Sequence, residues 1–415
     1  MGPTRDDLLA AYGAAVAAAD PRSAVAGAMS LVGGVLKVGS WEFTDVGPGD
    51  VVVVALGKAA SAMAAGAFAI TGARRGIVVT NNKDDESPYE VLLGSHPIPD
   101  QSSVAAGEAL MVLLTGTSPS DVVIFLISGG GSAVAILPVD GVSIEDIGEM
   151  NRVLIESGMP IEDINEVRAV VSRIKGGRLA AATRADRAVT LVLSDVVGAG
   201  PEHVASGPSI GFGLGAGARV VIDAYDIRND LPVPVVEAIE RFKLIDGNVS
   251  PRFTVIGSPE IAAQAAVREL QQQGWNASLV TTHLRGEARN EAISLIDGAE
   301  PGTVAVAAGE TTVSVQGGGV GGRNQEAALA GALHIEGQDV LFAALGTDGV
   351  DGPTEAAGAV VDGSTAVRAR ELGVDLASAL RDNDSNTALH AVGDTVVTGP
   401  TGTNVADLWM VAKRS

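Results

Sequence analysis

An unbroken apolar run at residues 122–127 stops at Ser128 and then at three consecutive glycines, Gly129, Gly130 and Gly131, closed by Ser132. A run of that length without polar alternation reads as a strand buried on both faces, the condition of a central strand in a parallel sheet. Glycines let the backbone turn sharply and bring N–H groups around an anion, and the two serine hydroxyls add donors at the rim. A tight strand-to-helix turn with no ligand would use the same residues. The binding reading gains weight because other strands in this chain end in the same way.

Short apolar runs alternate with helical patterns along the chain, the signature of α/β architecture. In the first half the spacing predicts strands at 51–56, 76–80, 90–93, 122–127 and 188–193. Ser143, followed by Glu145 and Asp146, caps a helix whose apolar residues Ile144, Ile147, Met150 and Leu154 share one face and which Gly158 ends. A second helix starts near Ile161 and carries its core stripe to Gly176 and Gly177. In the second half, strands are predicted at 253–256, 277–281, 303–307, 340–345 and 407–411. Residues 311–315 follow so closely on 303–307 that a hairpin is expected, which makes this second sheet mixed. A length of 415 residues favours two domains. They are expected over 1–245 and 250–415, with the boundary within 242–251.

The formal net charge is −22, from 28 basic and 50 acidic side chains, and aromatic residues make up only 3%. Such a surface repels nucleic acid and anionic membranes and has little on which to stack bases. There is no cysteine, which excludes disulfides and thiolate chemistry. Asp6 and Asp7 near the N-terminus, and Tyr12 and Gly13 breaking its apolar pattern, are unlike a signal peptide. No stretch free of charge and turn residues reaches the length of a membrane helix. The expectation is a cytoplasmic protein acting on small molecules, with oligomeric state left open, a homodimer included.

Ligands of open α/β sheets sit beyond the carboxyl ends of the strands, so polar residues there are the site candidates. The strand at 51–56 ends in Gly57 and Lys58, that at 122–127 in the serine–glycine loop, and that at 188–193 in Ser194 and Asp195. The strand at 303–307 leads to Glu310, and that at 340–345 to Thr347, Asp348 and Asp351. Both domains thus supply charged residues, and the expected site is a cleft between them. Lys58 opens an alanine-rich helix, where a cation opposes the dipole, so an anion nearby would compensate it. It is not a Walker lysine, since neither the earlier glycine nor the following Ser or Thr is present. A second glycine-rich loop at 317–322 leads into a helix beginning Arg323, Asn324, Gln325, Glu326; its glycines are expected to wrap an anion, with Arg323 and Glu326 on one face. The carboxylates Asp195, Glu310, Asp348 and Asp351 are candidates for a divalent cation or a base, although Asp–Gly pairs also build turns. His96 has no metal-spacing partner and is read as a possible substrate contact.

These residues resemble the class II glycerate 2-kinases, the MOFRL group once labelled hydroxypyruvate reductases. The resemblance runs through VVVVALGKAA (51–60), SHPIPD (95–100), LISGGGSA (126–133), IKGGRLA (174–180), LSDVVGAGPEHVASGPS (193–209), GGRNQE (321–326), GTDGVDGPTEAAGAVVD (346–362) and GPTGTNVADL (399–408). The chain departs from the pattern at Gly198, Ala199 and Gly200, where relatives often carry an acidic residue. The resemblance implies two domains: an N-terminal Rossmann-like parallel three-layer α/β/α domain and a C-terminal α/β domain with a mixed sheet. It also implies ATP- and Mg2+-dependent transfer of a phosphoryl group to the 2-hydroxyl of D-glycerate. On that basis the loop Ser128, Gly129, Gly130, Gly131 and Ser132, with Lys175, is expected at the ATP phosphates. Lys58 and Arg323 are expected on the glycerate carboxylate or the migrating phosphoryl group, and Asp195 on the 2-hydroxyl. Asn324, Glu326 and Thr347 are expected to bind substrate or nucleotide, and Glu310, Asp348 and Asp351 the metal. The competing reading, an NAD(P)-dependent hydroxypyruvate reductase, requires a G-x-G-x-x-G turn after the first strand; the chain has Gly57, Lys58, Ala59 there.

Overall fold

Val51–Leu56 is buried along its whole length and forms the middle of a six-stranded sheet. The structure is a computed structural model that describes residues 2–82, 87–244 and 252–414. It divides into two compact units, one of Pro21–Ile256 and the other of Met1–Asp20 with Gly257–Ser415.

The unit Pro21–Ile256 opens with a small antiparallel sheet of β1 (Met29–Val32), β2 (Val35–Val38) and β3 (Trp41–Phe43). The main sheet follows, built from β4 (Val51–Leu56), β5 (Arg75–Thr80), β6 (Glu90–Leu93), β7 (Val122–Ser128), β8 (Arg187–Leu193) and β9 (Phe253–Gly257), in the order β6-β5-β4-β7-β8-β9. From β6 to β8 all neighbours are parallel. Helix Gln101–Thr115 presses Ala106, Leu110 and Leu114 onto a layer made by Val52, Val54, Leu56, Val123, Phe125 and Ile127. The helices Ile144–Glu156, Ile161–Val170, Ala218–Ala224 and Val233–Arg241 bury a separate core around Met150, Val167, Ile222 and Val235. The expected cap is present: Ser143 Oγ accepts from Asp146 N at 3.0 Å, and Asp146 Oδ2 accepts from Ser143 N at 2.9 Å. The next helix stops at Val170, earlier than its apolar stripe suggests. The chain beyond it turns through positive φ at both Gly176 and Gly177.

The second unit contains β10 (Ala277–Leu284), β11 (Thr303–Gly309), β12 (Val340–Gly346), β13 (Gly358–Asp362), β14 (Thr395–Val396) and β15 (Asp407–Lys413), in the order β10-β11-β15-β12-β13-β14. This sheet is mixed as expected, but not through the expected hairpin. Residues 311–315 form no strand, and Thr312 makes only an isolated parallel bridge to Glu287. Among the described residues of this sheet only β10 and β11 pair parallel; β15 inserts antiparallel between β11 and β12, placing Trp409 between Ala307 and Ala344, and β13 is antiparallel to β12 and β14.

The compact units divide the chain differently from the expected domain limits. Helix Arg5–Ala18 buries Leu8, Ala11, Tyr12 and Ala15 against helix Pro259–Gln272 and β12, so the first twenty residues belong with the C-terminal unit and not with 1–245. The strand placed first in the C-terminal domain is instead β9, the edge strand beside β8, where Thr190 N donates to Arg252 O at 2.8 Å. Most of the proposed boundary, residues 245–251, lies outside the described residues, and the change of unit falls between Ile256 and Gly257. Among the described residues no helix is long and apolar enough to cross a membrane.

Candidate functional site

In the first sheet the chain proceeds from β4 outward through β5 and β6, then restarts on the other side with β7 and β8. The strand order therefore reverses between β4 and β7, and a crevice opens beyond their carboxyl ends. Gly57–Lys58 and the Ser128–Ser132 loop end those two strands. They are joined by hydrogen bonds from Lys58 N to Gly129 O (2.9 Å) and from Ala59 N to Ser128 Oγ (3.2 Å). Gly57 has φ of 120°, and a Cβ there would lie 2.5 Å from Ser128 O.

The glycines of the loop make room for side chains to converge on it. A Cβ on Gly129 would meet the Asp195 carboxylate, with its carbon at 2.5 Å. A Cβ on Gly130 would meet Lys58 Cγ at 2.9 Å and His96 Cδ2 at 3.3 Å. Lys58, His96 and Asp195 thus lie against one stretch of backbone, with Lys58 exposed to solvent. Partial burial, and then the Lys58 charge, lower the pKa of His96 and favour its neutral form.

Ser128 and Lys175 lie beneath the surface of the loop. Both are buried, and Lys175 Nζ donates to Ser132 O (2.7 Å) and Ser132 Oγ (2.6 Å). Ser132 Oγ lies 2.9 Å from Ser206 Oγ, which donates to Asn165 Oδ1 at 2.6 Å. Burial, reinforced by Arg168, holds the Lys175 ammonium well below its ordinary pKa. Lys175 therefore fixes the loop from behind. Nothing in the sequence marks Ser206 or Asn165 as partners of this loop.

In the second unit Arg323 begins helix Arg323–His334. Its Nε and Nη2 donate to Asp407 Oδ2 (2.6 Å) and Oδ1 (3.0 Å), while Nη1 lies 2.9 Å from Glu310 Oε1. Asp407 also accepts from Asn324 Nδ2 at 2.9 Å, and Trp409 Nε1 fixes Asn324 through its Oδ1 at 2.8 Å. Burial outweighs the Arg323 attraction and raises the Asp407 carboxyl to about 6. Sequence reasoning missed Asp407; its only signal was a carboxylate opening an apolar strand.

Several other expected site residues serve the fold. Asp351 caps the Arg323–His334 helix: Oδ1 accepts from Asn324 N (3.0 Å) and Oδ2 from Gln325 N (2.8 Å) and Gln325 Nε2 (3.0 Å). Glu326 is buried on Arg289 and Asn383 and does not pair with Arg323. Thr347 is buried; its hydroxyl donates to Ala406 O (2.6 Å) and accepts from Val405 N (2.9 Å). Asp348 is half-buried and accepts from Val350 N at 3.1 Å. The second glycine-rich loop does not present a free anion cradle. Its Gly317 N donates to Asn383 Oδ1, Gly318 N to Asp382 Oδ1 and Val320 N to Asp384 Oδ1. Among the described residues no three acidic or imidazole side chains converge as a metal site.

The domain of unknown function DUF4147 matches residues 7–240, and the MOFRL family matches residues 303–407. A glycerate 2-kinase of Pyrococcus horikoshii is 38% identical over an alignment covering 97% of this chain and 95% of the relative. A protein of Agrobacterium vitis, provisionally named a hydroxypyruvate reductase, is 36% identical over 97% of this chain and 93% of its own. The crystal structure of glycerate kinase from Thermotoga maritima is similar with a TM-score of 0.84, at 34% identity and covering 98% of each chain.

Proposed function

The chain belongs to the glycerate 2-kinase family marked by DUF4147 and MOFRL, and we propose that it transfers the γ-phosphoryl group of ATP to the 2-hydroxyl of D-glycerate. The products are 2-phosphoglycerate and ADP. The observation that carries this reading is the convergence of Lys58, Asp195 and the glycine loop beyond the ends of β4, β7 and β8. Phosphoryl transfer asks a protein for positioning and charge stabilisation and for little covalent chemistry.

The half-buried backbone of Gly129, Gly130 and Ser132 receives phosphate oxygens, held in shape by Lys175. Lys58, at the same loop, stabilises charge on the migrating phosphoryl group. Asp195 accepts the proton of the 2-hydroxyl as its oxygen bonds to the γ-phosphorus and the bond to the β-bridging oxygen breaks, releasing ADP. Arg323, oriented by Asp407, binds the anionic oxygens of glycerate or of the phosphoryl group.

Asp348 is the carboxylate best suited to a Mg2+ ion, because Asp351 is spent on the helix cap and Glu310 on Arg323. One protein carboxylate suffices where water and phosphate oxygens complete the shell. When bound, the ion neutralises charge on the ATP phosphates.

The reductase reading lacks its motif, since β4 ends in Gly57, Lys58, Ala59 without the dinucleotide turn. Incubation of the protein with glycerate and either ATP–Mg2+ or NAD(P)+ tests the choice. ADP should form only in the first mixture; NAD(P)H formation in the second, without ADP in the first, would overturn the kinase reading.

A further inference from the structure

Arg323 has two carboxylate partners of opposite character. Asp407 is buried, with 1% of its side chain exposed, is held by Asn324, and takes two of the guanidinium donors. Glu310 has 50% of its side chain exposed and takes only Nη1. The backbone around Glu310 is anchored, since Glu310 N donates to Leu284 O at 2.9 Å and Thr312 N to Gly286 O at 2.8 Å. Its side chain can therefore rotate away without moving the strand end. A solvent-exposed ion pair is held weakly, whereas the two-point fork to a buried carboxylate is not easily exchanged.

We propose that Glu310 is a displaceable counter-ion, holding Nη1 of Arg323 until an anionic oxygen of the substrate replaces it. This rests on the reading of Arg323 as the anion-holding group of the kinase. Glu310 then acts as a specificity residue. A tethered carboxylate competes at an effective concentration of about millimolar, so weakly binding anions do not hold Arg323 while a well-oriented substrate does. The incoming oxygen belongs either to the glycerate carboxylate or to the ATP phosphoryl group; both offer Nη1 the same charge-assisted bond.

Calorimetry of the full chain separates these outcomes, with glycerate and ATP titrated individually into wild type, Glu310→Gln, Glu310→Ala and Arg323→Ala. Both Glu310 variants should bind one of the two ligands about two- to fivefold more tightly than wild type, the range expected when a weak competing ion pair is removed. The gain should shrink as salt is raised. Tightening of glycerate assigns the displacement to its carboxylate, and tightening of ATP assigns it to the phosphoryl group. Unchanged or weaker binding of both ligands by the Glu310 variants, with Arg323→Ala weakened, would overturn the displacement alone. If Arg323→Ala binds both as wild type does, the anion-holding reading of Arg323 fails as well. A higher Mg2+ requirement in Glu310→Gln without tighter binding would make Glu310 a metal ligand and overturn the proposal.

Discussion

Asp407→Asn should leave the protein folded while removing most of its activity. The carboxylate accepts from Arg323 Nε, Arg323 Nη2 and Asn324 Nδ2. An amide in the same place has one acceptor oxygen. Oriented to keep the bonds at the Oδ1 position, it turns its NH2 group against Nε, losing one charge-assisted bond worth about 1.5–3 kcal/mol. Against this stands the cost of the buried charge. A carboxyl raised from 3.8 to about 6 carries a penalty of about 3 kcal/mol at neutral pH that an amide does not. That penalty is already net of the Arg323 and Asn324 bonds, so by urea titration at pH 7 the amide should be no less stable than the wild-type carboxylate. Catalysis has no such compensation. A guanidinium freed from its fork and displaced by about 1 Å should lower kcat about a hundredfold in an ADP-release assay. A folded variant within threefold of wild-type kcat would refute the claim that Asp407 positions Arg323. The sign of the pH effect is fixed as well. The folded pKa lies above the unfolded one, so this group's stabilising contribution is complete below about 4 and is lost as pH rises through about 6. The stability of wild type relative to Asp407→Asn should fall across that window. Activity should move the opposite way, with wild-type kcat declining below about pH 6 as the fork is protonated.

Lys58→Ala should reduce kcat at least about a hundredfold, the scale for a lost transition-state donor, with an unchanged melting curve; near-normal turnover would leave Lys58 a solvent-exposed lysine. Gly129→Ala places a methyl group against the Asp195 carboxylate and should lower kcat at least about tenfold with ATP binding largely kept, which calorimetry beside steady-state kinetics would check. Asp351→Asn weakens a helix cap and should destabilise the protein by about 1–2 kcal/mol in urea while leaving the Mg2+ concentration for half-maximal rate unchanged. A raised Mg2+ requirement would restore Asp351 as a metal ligand.

The first half of the site was legible because its signals are local. The all-apolar run VVVVAL can only be a doubly covered strand, and Gly57, Lys58 and the serine–glycine loop stand directly after strands whose ends the fold brings together. What escaped was set by long-range pairing. Helix Arg5–Ala18 carries no mark of a partner more than two hundred residues away, and β9 looks like any strand that could start a new domain. The insertion of β15 between β11 and β12 puts Asp407 beneath Arg323, a meeting of residues 84 positions apart that no spacing rule reveals. The same holds for the loop at 317–322. Its glycines suggested an anion, and its amides do find side-chain oxygens, but these belong to Asp382, Asn383 and Asp384 of the chain itself. Glu326 follows Arg323 at helical spacing, yet burial turned it toward Arg289.

Phosphorus NMR of the wild-type reaction with D-glycerate, ATP and Mg2+ shows which hydroxyl receives the phosphoryl group. Resonances of ADP and 2-phosphoglycerate should appear together and in equal amounts as those of ATP decline. A spectrum showing only 3-phosphoglycerate would contradict the assigned regiochemistry, and one in which ATP persists unchanged with folded protein would contradict the kinase itself.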